Sequence, residues 1–345
     1  MNYASDVPNP NLGSFKTLFT NVYNAGGRVI RWWFHTDGSV TPGYTNGEAT
    51  PISQADISAV KSILDAAYSA GVAVNISIWS FDMLNGGNAN IPVANNLNLL
   101  TNDTDRQAYI TNVLTPLVTA LKGYHGLYSW EVFNEPEGMT TQNGWTTCKS
   151  TDPSCGTPAG GQEIDEKYVQ ICVNWFADAI HTADPNALVT NGAWTFLANS
   201  NVVGTNYYSD SALLAAGGRS KGTLDYYQVH YYDNWGTPGG AESVSPFQNK
   251  ASYWGLTDGK PIVIGEFWAI DTYADGTSSK VLSSNLYTTL YTEGYGGAWA
   301  WQYANADNPG PSDYPTDSEQ TTWGPLMQTA MQNLYNADQA AVLCQ

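Results

Sequence analysis

Two glutamates carry the most chemistry in this chain. Glu135 stands in Asn134-Glu135-Pro136, directly behind the apolar, strand-like run Ser129-Trp130-Glu131-Val132-Phe133. The run delivers an amide and a carboxyl side by side, and the proline stops the strand. Glu266 ends a second buried-type run, Pro261-Ile262-Val263-Ile264-Gly265-Glu266-Phe267-Trp268. Either residue alone reads as readily as a capping or salt-bridged surface carboxylate. Together, each at a strand end and near a tryptophan, they match what glycosidic bond cleavage needs. One acid protonates the leaving oxygen, and one carboxylate attacks or activates water.

The elements that must position them alternate along the chain. The patterns predict strands over 28–34, 72–78, 127–133, 187–191, 226–229, 261–264 and 297–301. Helices are predicted near 15–25 and over 55–70, 105–121, 168–183, 279–292 and 324–335, with Ile57, Val60, Ile63, Leu64 and Ala67 lining one face of the second. Asn2-Tyr3-Ala4 supplies an abbreviated first strand and brings the count to eight. Repeated strand–helix units over 345 residues predict an α/β fold, a (β/α)8 TIM barrel forming a single catalytic domain from 1 to 345. A doubly wound sheet is the competing architecture, but no Gly-rich phosphate loop follows any strand. The Gly-, Asn- and Pro-rich stretches at 82–98, 139–161 and 305–317 read as long loops.

Composition narrows the partners. Asp and Glu outnumber Lys and Arg by 31 to 13, for a net charge of −18. Such a surface repels nucleic acid and anionic membranes and does not penalise a neutral substrate. No apolar stretch approaches the roughly 18 residues of a membrane span. The 13 Trp and 22 Tyr supply flat faces that suit sugar rings. Met1 is followed at once by Asn2-Tyr3-Ala4-Ser5-Asp6, with no signal peptide, so the chain reads as a mature form behind a start methionine. Cys148 and Cys155 bracket a short loop and are expected to pair; four Cys allow three pairings in all. Together with few lysines and abundant Asn, Ser, Thr and Gly, this predicts an exported, extracellular protein. No His stands at ligand spacing near the cysteines, and the Asp/Asn-rich loop at 307–317 lacks a calcium-loop spacing, so no metal is expected.

In a barrel the reactive side chains gather at the C-terminal ends of the strands. Those ends give Arg31, Trp33 and His35; Trp79; Asn134 and Glu135; Trp194; His230 and Tyr232; Glu266 and Trp268; Trp299 and Trp301. One mouth would collect two carboxyls, an arginine, two histidines and a ring of indoles, an arrangement suited to a polysaccharide. The motifs Arg31-Trp32-Trp33-Phe34-His35, Ile78-Trp79, Trp130 to Met139, Tyr207-Tyr208-Ser209-Asp210, His230-Tyr231-Tyr232, Gly265-Glu266-Phe267-Trp268 and Gly297-Ala298-Trp299-Ala300-Trp301 span nearly the whole chain. In this order they resemble glycoside hydrolase family 5, nearest the invertebrate-type β-1,4-mannanases.

The resemblance implies retaining, endo-acting cleavage of internal β-1,4 bonds in mannan, glucomannan and galactomannan, by a secreted monomer without cofactor. It makes Glu135 the acid/base and Glu266 the nucleophile. It places Arg31 and Tyr232 against the nucleophile, His230 near the acid/base, Asn134 at the 2-hydroxyl of the sugar being cleaved and Trp301 under that sugar. Trp33, His35, Trp79, Trp194 and Trp268 are further candidate substrate contacts. The family often has histidine where Trp79 stands, as the mannanase subgroup does not, which makes Trp79 the candidate for discrimination between mannan and cellulose. The family also commonly has a cis peptide after the last strand's tryptophan, here Trp301–Gln302. Glu131 and Glu137 read as structural. Two alternatives stay open: an endo-β-1,4-glucanase on the same scaffold, and a carbohydrate-binding protein without catalysis.

Overall fold

A computed structural model describes residues 6–142, 161–232, 241–267, 272–273, 280–302 and 329–336. Among these, seven strands form one parallel sheet in sequence order: β1 (Val29–Thr36), β2 (Ala73–Ser80), β3 (Leu127–Asn134), β4 (Val189–Ala193), β5 (Tyr227–Tyr231), β6 (Ile262–Phe267) and β7 (Gly297–Ala298). The sheet is curled. Neighbouring strands lie about 4.8 Å apart, so β1 and β6 would be roughly 24 Å apart in a flat sheet. Instead the Arg31 guanidinium on β1 bonds the Glu266 carboxylate on β6. Closure follows from the alternating units, and the fold is a (β/α)8 barrel. The expected first strand, Asn2-Tyr3-Ala4, lies outside the described residues.

The helices are α1 (Leu12–Asn24), α2 (Gln54–Ser69), α3 (Val93–Thr101), α4 (Asp103–Tyr109), α5 (Thr115–Leu121), α6 (Glu166–Ala183), α7 (Asp210–Gly217) and α8 (Leu286–Thr292). They form where the sequence offers a cap and an apolar stripe. Ser53 caps α2 by accepting from the Asp56 amide at 3.0 Å, and Ile57, Val60, Ile63, Leu64 and Ala67 are buried on its inner face. The stripe periodicity therefore placed this helix to within a residue at each end.

Other elements differ from expectation. The single helix predicted over 105–121 is α4 and α5 joined by a π-helical turn, Ile110–Leu114. Pro116 is the cause: it has no N–H to return to the preceding turn, so the backbone widens ahead of it. The stretch at 82–98 holds a 3-10 turn (Phe81–Leu84) and the start of α3, where polar asparagines masked a stripe ending in buried Leu99 and Leu100. The helix predicted from 279 begins at Leu286, behind a 3-10 turn at Ser283–Asn285. Helix α7 was missed because it buries only Leu213. The last strand pairs only over Gly297–Ala298, yet Trp299 N and Trp301 N still donate to Ile264 O (2.8 Å) and Phe267 O (2.9 Å). The Trp301–Gln302 peptide is cis, as the resemblance implies.

Candidate active site

The C-terminal strand ends converge on one constellation. Strand β1 brings Arg31, β3 brings Glu131 and Asn134, β5 brings His230 and β6 brings Glu266. Glu135 follows β3 in the left-handed backbone region, with φ 44° and ψ 50°. A side chain at positive φ is uncommon and costs about 1 kcal/mol or more. Three features fix it there: its amide donates to Gly192 O (2.7 Å), Pro136 follows, and the 3-10 turn Pro136–Met139 takes up the chain.

Arg31 is the hub. Nε and Nη2 clamp both oxygens of Glu131 at 2.6 and 2.5 Å, Nη2 also donates to Asn134 Oδ1 at 2.7 Å, and Nη1 donates to Glu266 Oε1. Burial disfavours its charge, but the two carboxylates outweigh that and raise its pKa above the ordinary value. The guanidinium is therefore a fixed cation. Glu131 is wholly buried, and the structure makes it the partner that aims Arg31.

Glu266 accepts from Arg31 at Oε1 and from the Tyr232 hydroxyl at Oε2, 2.6 Å away. His230 Nδ1 lies 2.9 Å from Glu135 Oε1 and 3.6 Å from Glu266 Oε2. Gln228 Nε2, a donor, stands 3.4 Å from His230 Nε2, so a neutral ring carries its proton on Nδ1 and donates it to Glu135. Burial lowers the His230 pKa to about 4, so the ring is neutral at physiological pH.

Glu135 has the opposite bias. Burial raises its pKa to about 8; Arg31 pulls it down, and the charges of Asp82 and Glu131 push it up. It is thus a protonated acid at neutral pH. One polar atom from each of Glu135, His230 and Glu266 lies within 4.8 Å of the other two. Carboxyl groups about 5–5.5 Å apart leave no room for a water between them and the sugar, the spacing of a nucleophile and an acid. The three groups also offer donors to a metal ion. The Arg31 cation and the Tyr232 hydroxyl already occupy the Glu266 oxygens, which opposes a second cation there.

The aromatic candidates divide. Trp33 and Trp301 lie 5.4 Å apart, ring centre to ring centre, and Trp301 is half-buried. The Arg31 guanidinium sits 5.2 Å over the Trp33 ring. Half-buried Trp194 is held after β4 by its amide, which donates to Glu137 Oε2 at 3.1 Å. Trp268 lies outside the described residues, as do Cys148 and Cys155. His35 and Trp79 are different: each is only 1 % exposed, and their rings pack together 4.7 Å apart and against Tyr109. Burial holds the His35 imidazole down at about 3, neutral, with Nδ1 on Thr41 Oγ1 at 2.8 Å. Neither offers a face to a sugar, so their expected role as direct contacts is corrected to packing beneath the site. With Trp79 closed off, it cannot discriminate between substrates by touching them.

Three polar residues near the site, Ser80, Asp82 and Glu166, escaped the sequence reading, and Tyr208 entered it only as part of a motif, without a role. Ser80 ends β2 and Asp82 follows it, where the strand-end rule that found the others applies, but the predicted strand stopped short of them. Tyr208 and Glu166 surround Glu137, and Tyr208 donates its hydroxyl proton to Glu137 Oε1. No local pattern marks that long-range contact. Cys172 is a buried free thiol beside Arg106, which leaves it out of any disulfide.

This geometry has counterparts among known proteins. Residues 7–307 match the family described as cellulase (glycosyl hydrolase family 5). The chain is 35 % identical over 312 residues to a mannan endo-1,4-beta-mannosidase of Mytilus edulis, covering 87 % of this chain and 80 % of that one. It is 33 % identical over 309 residues to the same named enzyme of Cryptopygus antarcticus, covering 87 % and 75 %. A solved beta-1,4-mannanase from the sea hare Aplysia kurodai superposes with a TM-score of 0.75 at 30 % identity, over 97 % of this chain and 89 % of that one. With the matched region running from the first helix past the last strand, the chain belongs to glycosyl hydrolase family 5.

Proposed function

We propose that the chain is an endo-acting, retaining β-1,4-mannanase that cleaves internal bonds of mannan, glucomannan and galactomannan. The observation that carries this reading is the Glu135–His230–Glu266 cluster: a carboxyl that burial keeps protonated to about pH 8, and a second carboxyl held by Arg31 and Tyr232, with one oxygen of each within 4.8 Å of the other. The named relatives supply the choice of sugar.

The reaction follows from the two environments. Glu135, protonated below about pH 8, gives its proton to the leaving glycosidic oxygen. A Glu266 oxygen attacks the anomeric carbon as the C–O bond breaks, and a glycosyl ester forms. Glu135, now a carboxylate, takes a proton from water as that water displaces Glu266. Two displacements restore the starting configuration. Arg31 and Tyr232 hold the nucleophile at a fixed aim, so little reorganisation is needed at the moment of attack. Asn134 meets the 2-hydroxyl of the reacting sugar, Trp301 floors that sugar, and Trp33 and Trp194 line the cleft beyond it. No step calls for a cofactor.

In this reading the enzyme acts as a monomer: the described residues of a single chain already supply Arg31, Tyr232 and His230 around the two glutamates, and no second chain is called for. It acts outside the cell, because its polymeric substrate does not cross membranes. The test is turnover of mannohexaose against cellohexaose, with the product anomer followed by proton NMR. We expect mannohexaose to be preferred at least 100-fold in kcat/KM, with the β-anomer formed first. Comparable values on the two hexaoses promote a glucanase, and an α-anomer formed first overturns retention.

A further inference from the structure

The amide of Asn134 sits in a chain of hydrogen bonds whose direction is fixed at every link. Arg31 Nη2 can only donate, and it donates to Asn134 Oδ1 at 2.7 Å. The amide nitrogen, Nδ2, therefore faces the other way and donates to Ser80 Oγ at 3.2 Å. Ser80 also accepts from the Asp82 amide at 3.5 Å, and its own proton goes to Asp82 Oδ2 at 2.7 Å. Ser80 and Asn134 are register partners on β2 and β3, so the two side chains start from one level of the barrel. Both are 1 % exposed.

Asp82 ends the chain as an acceptor. By taking the Ser80 proton it leaves Ser80 unable to donate to a reversed Asn134 amide. Arg31 forbids the reversed amide at the opposite end, where two donors would meet. Pinned at both ends, Asn134 has one hydrogen left. The second N–H of Nδ2 has no acceptor among the described residues, although the side chain is buried. A buried donor without a partner is rare and costly, and it marks a place where a ligand supplies the acceptor.

Resting on the proposed function, we infer that Ser80 and Asp82 are positioning residues that hold the Asn134 amide with one N–H aimed at the 2-hydroxyl of the reacting sugar. The sugar oxygen accepts that N–H. The contact strengthens as charge develops at the neighbouring carbon in the transition state, so its loss falls on kcat more than on KM. Neither Ser80 nor Asp82 touches the reacting atoms in this scheme.

The experiment compares two aryl β-mannobiosides, one intact and one lacking the 2-hydroxyl on the sugar at the cleaved bond. We expect Ser80→Ala to lower kcat/KM on the intact substrate by roughly 10- to 100-fold and to leave the 2-deoxy substrate within about twofold of wild type. Ser80→Thr, which keeps the oxygen, restores most of the loss. Asp82→Ala follows Ser80→Ala, and Asp82→Asn, which keeps an acceptor, stays close to wild type at its own pH optimum. Equal losses on both substrates, or no loss on the intact one, overturn the inference. If Ser80→Ala unfolds at a lower temperature than wild type, Ser80→Cys decides the same comparison. The wild type run on the matching cellobioside pair separates the two readings. Turnover of gluco substrates alone overturns the mannanase, while the Ser80 comparison is then read on that pair.

Discussion

Glu135 and Glu266 share one imidazole: His230 Nδ1 is 2.9 Å from the first and 3.6 Å from the second. A single neutral ring thus lies between the proposed acid and the proposed nucleophile, and the two should fail in different ways. Glu266→Ala should cut turnover by about 10⁴-fold or more, because no group is left to form the ester. Azide should then rescue it and give the inverted α-glycosyl azide. Glu135→Ala should spare the first step on dinitrophenyl glycosides, whose leaving group needs no proton. Near wild-type activity in Glu266→Gln would refute the assignment.

The basic limb of the pH profile should report Glu135. The acid is competent only while protonated, so kcat/KM should fall as pH rises through about 8. Asp82 contributes to that value as a nearby negative charge. Its own pKa, raised to about 6 mainly by burial, leaves it ionised across this limb. Asp82→Asn should therefore move the limb to lower pH. A limb that stays in place would remove Asp82 from the electrostatics of the acid.

The same raised pKa makes stability depend on pH in a definite direction. An unfolded glutamate ionises near 4.5, whereas folded Glu135 holds its proton to about 8. The group therefore costs stability progressively as pH rises between those values. Glu135→Gln cannot ionise and keeps an acceptor for His230. It should be more stable than wild type at pH 8, by roughly 1–3 kcal/mol, with the gain vanishing towards pH 4. Denaturant melts at pH 4, 6 and 8 measure this. A constant difference across the range would contradict it.

Gly192 on β4 is a further sensitive point. A Cβ there would stand 2.6 Å from Glu131 Oε1, 3.0 Å from Gln228 Nε2 and 3.2 Å from His230 Nε2. None of these can retreat without loosening the clamp on Arg31 or the contact to Glu135. Gly192→Ala should lose about 100-fold in kcat and about 1–3 kcal/mol in stability. Unchanged kcat would show that the clamp tolerates movement.

The sequence by itself determined a good deal. Apolar runs alternating with stripes of period 3.6 specify strands and helices through local sterics and burial, which is why α2 and β3 were legible almost to the residue. The C-terminal strand-end rule then named Arg31, Asn134, Glu135, His230, Tyr232 and Glu266, and the structure brings all six into one cluster. What only the tertiary structure decided is which aromatic and polar groups reach the cleft. His35 and Trp79 sit at strand ends like the others, but their neighbours on α4 and β1 close over them. Burial is a property of what packs against a residue, and no local pattern contains it. The links from Ser80 to Asn134 and from Tyr208 to Glu137 span 54 and 71 residues, and the opposite biases of Glu135 and His230 depend on the same distant packing. A carboxyl becomes an acid at neutral pH because other strands take it out of water, and that desolvation exists only once the barrel has closed.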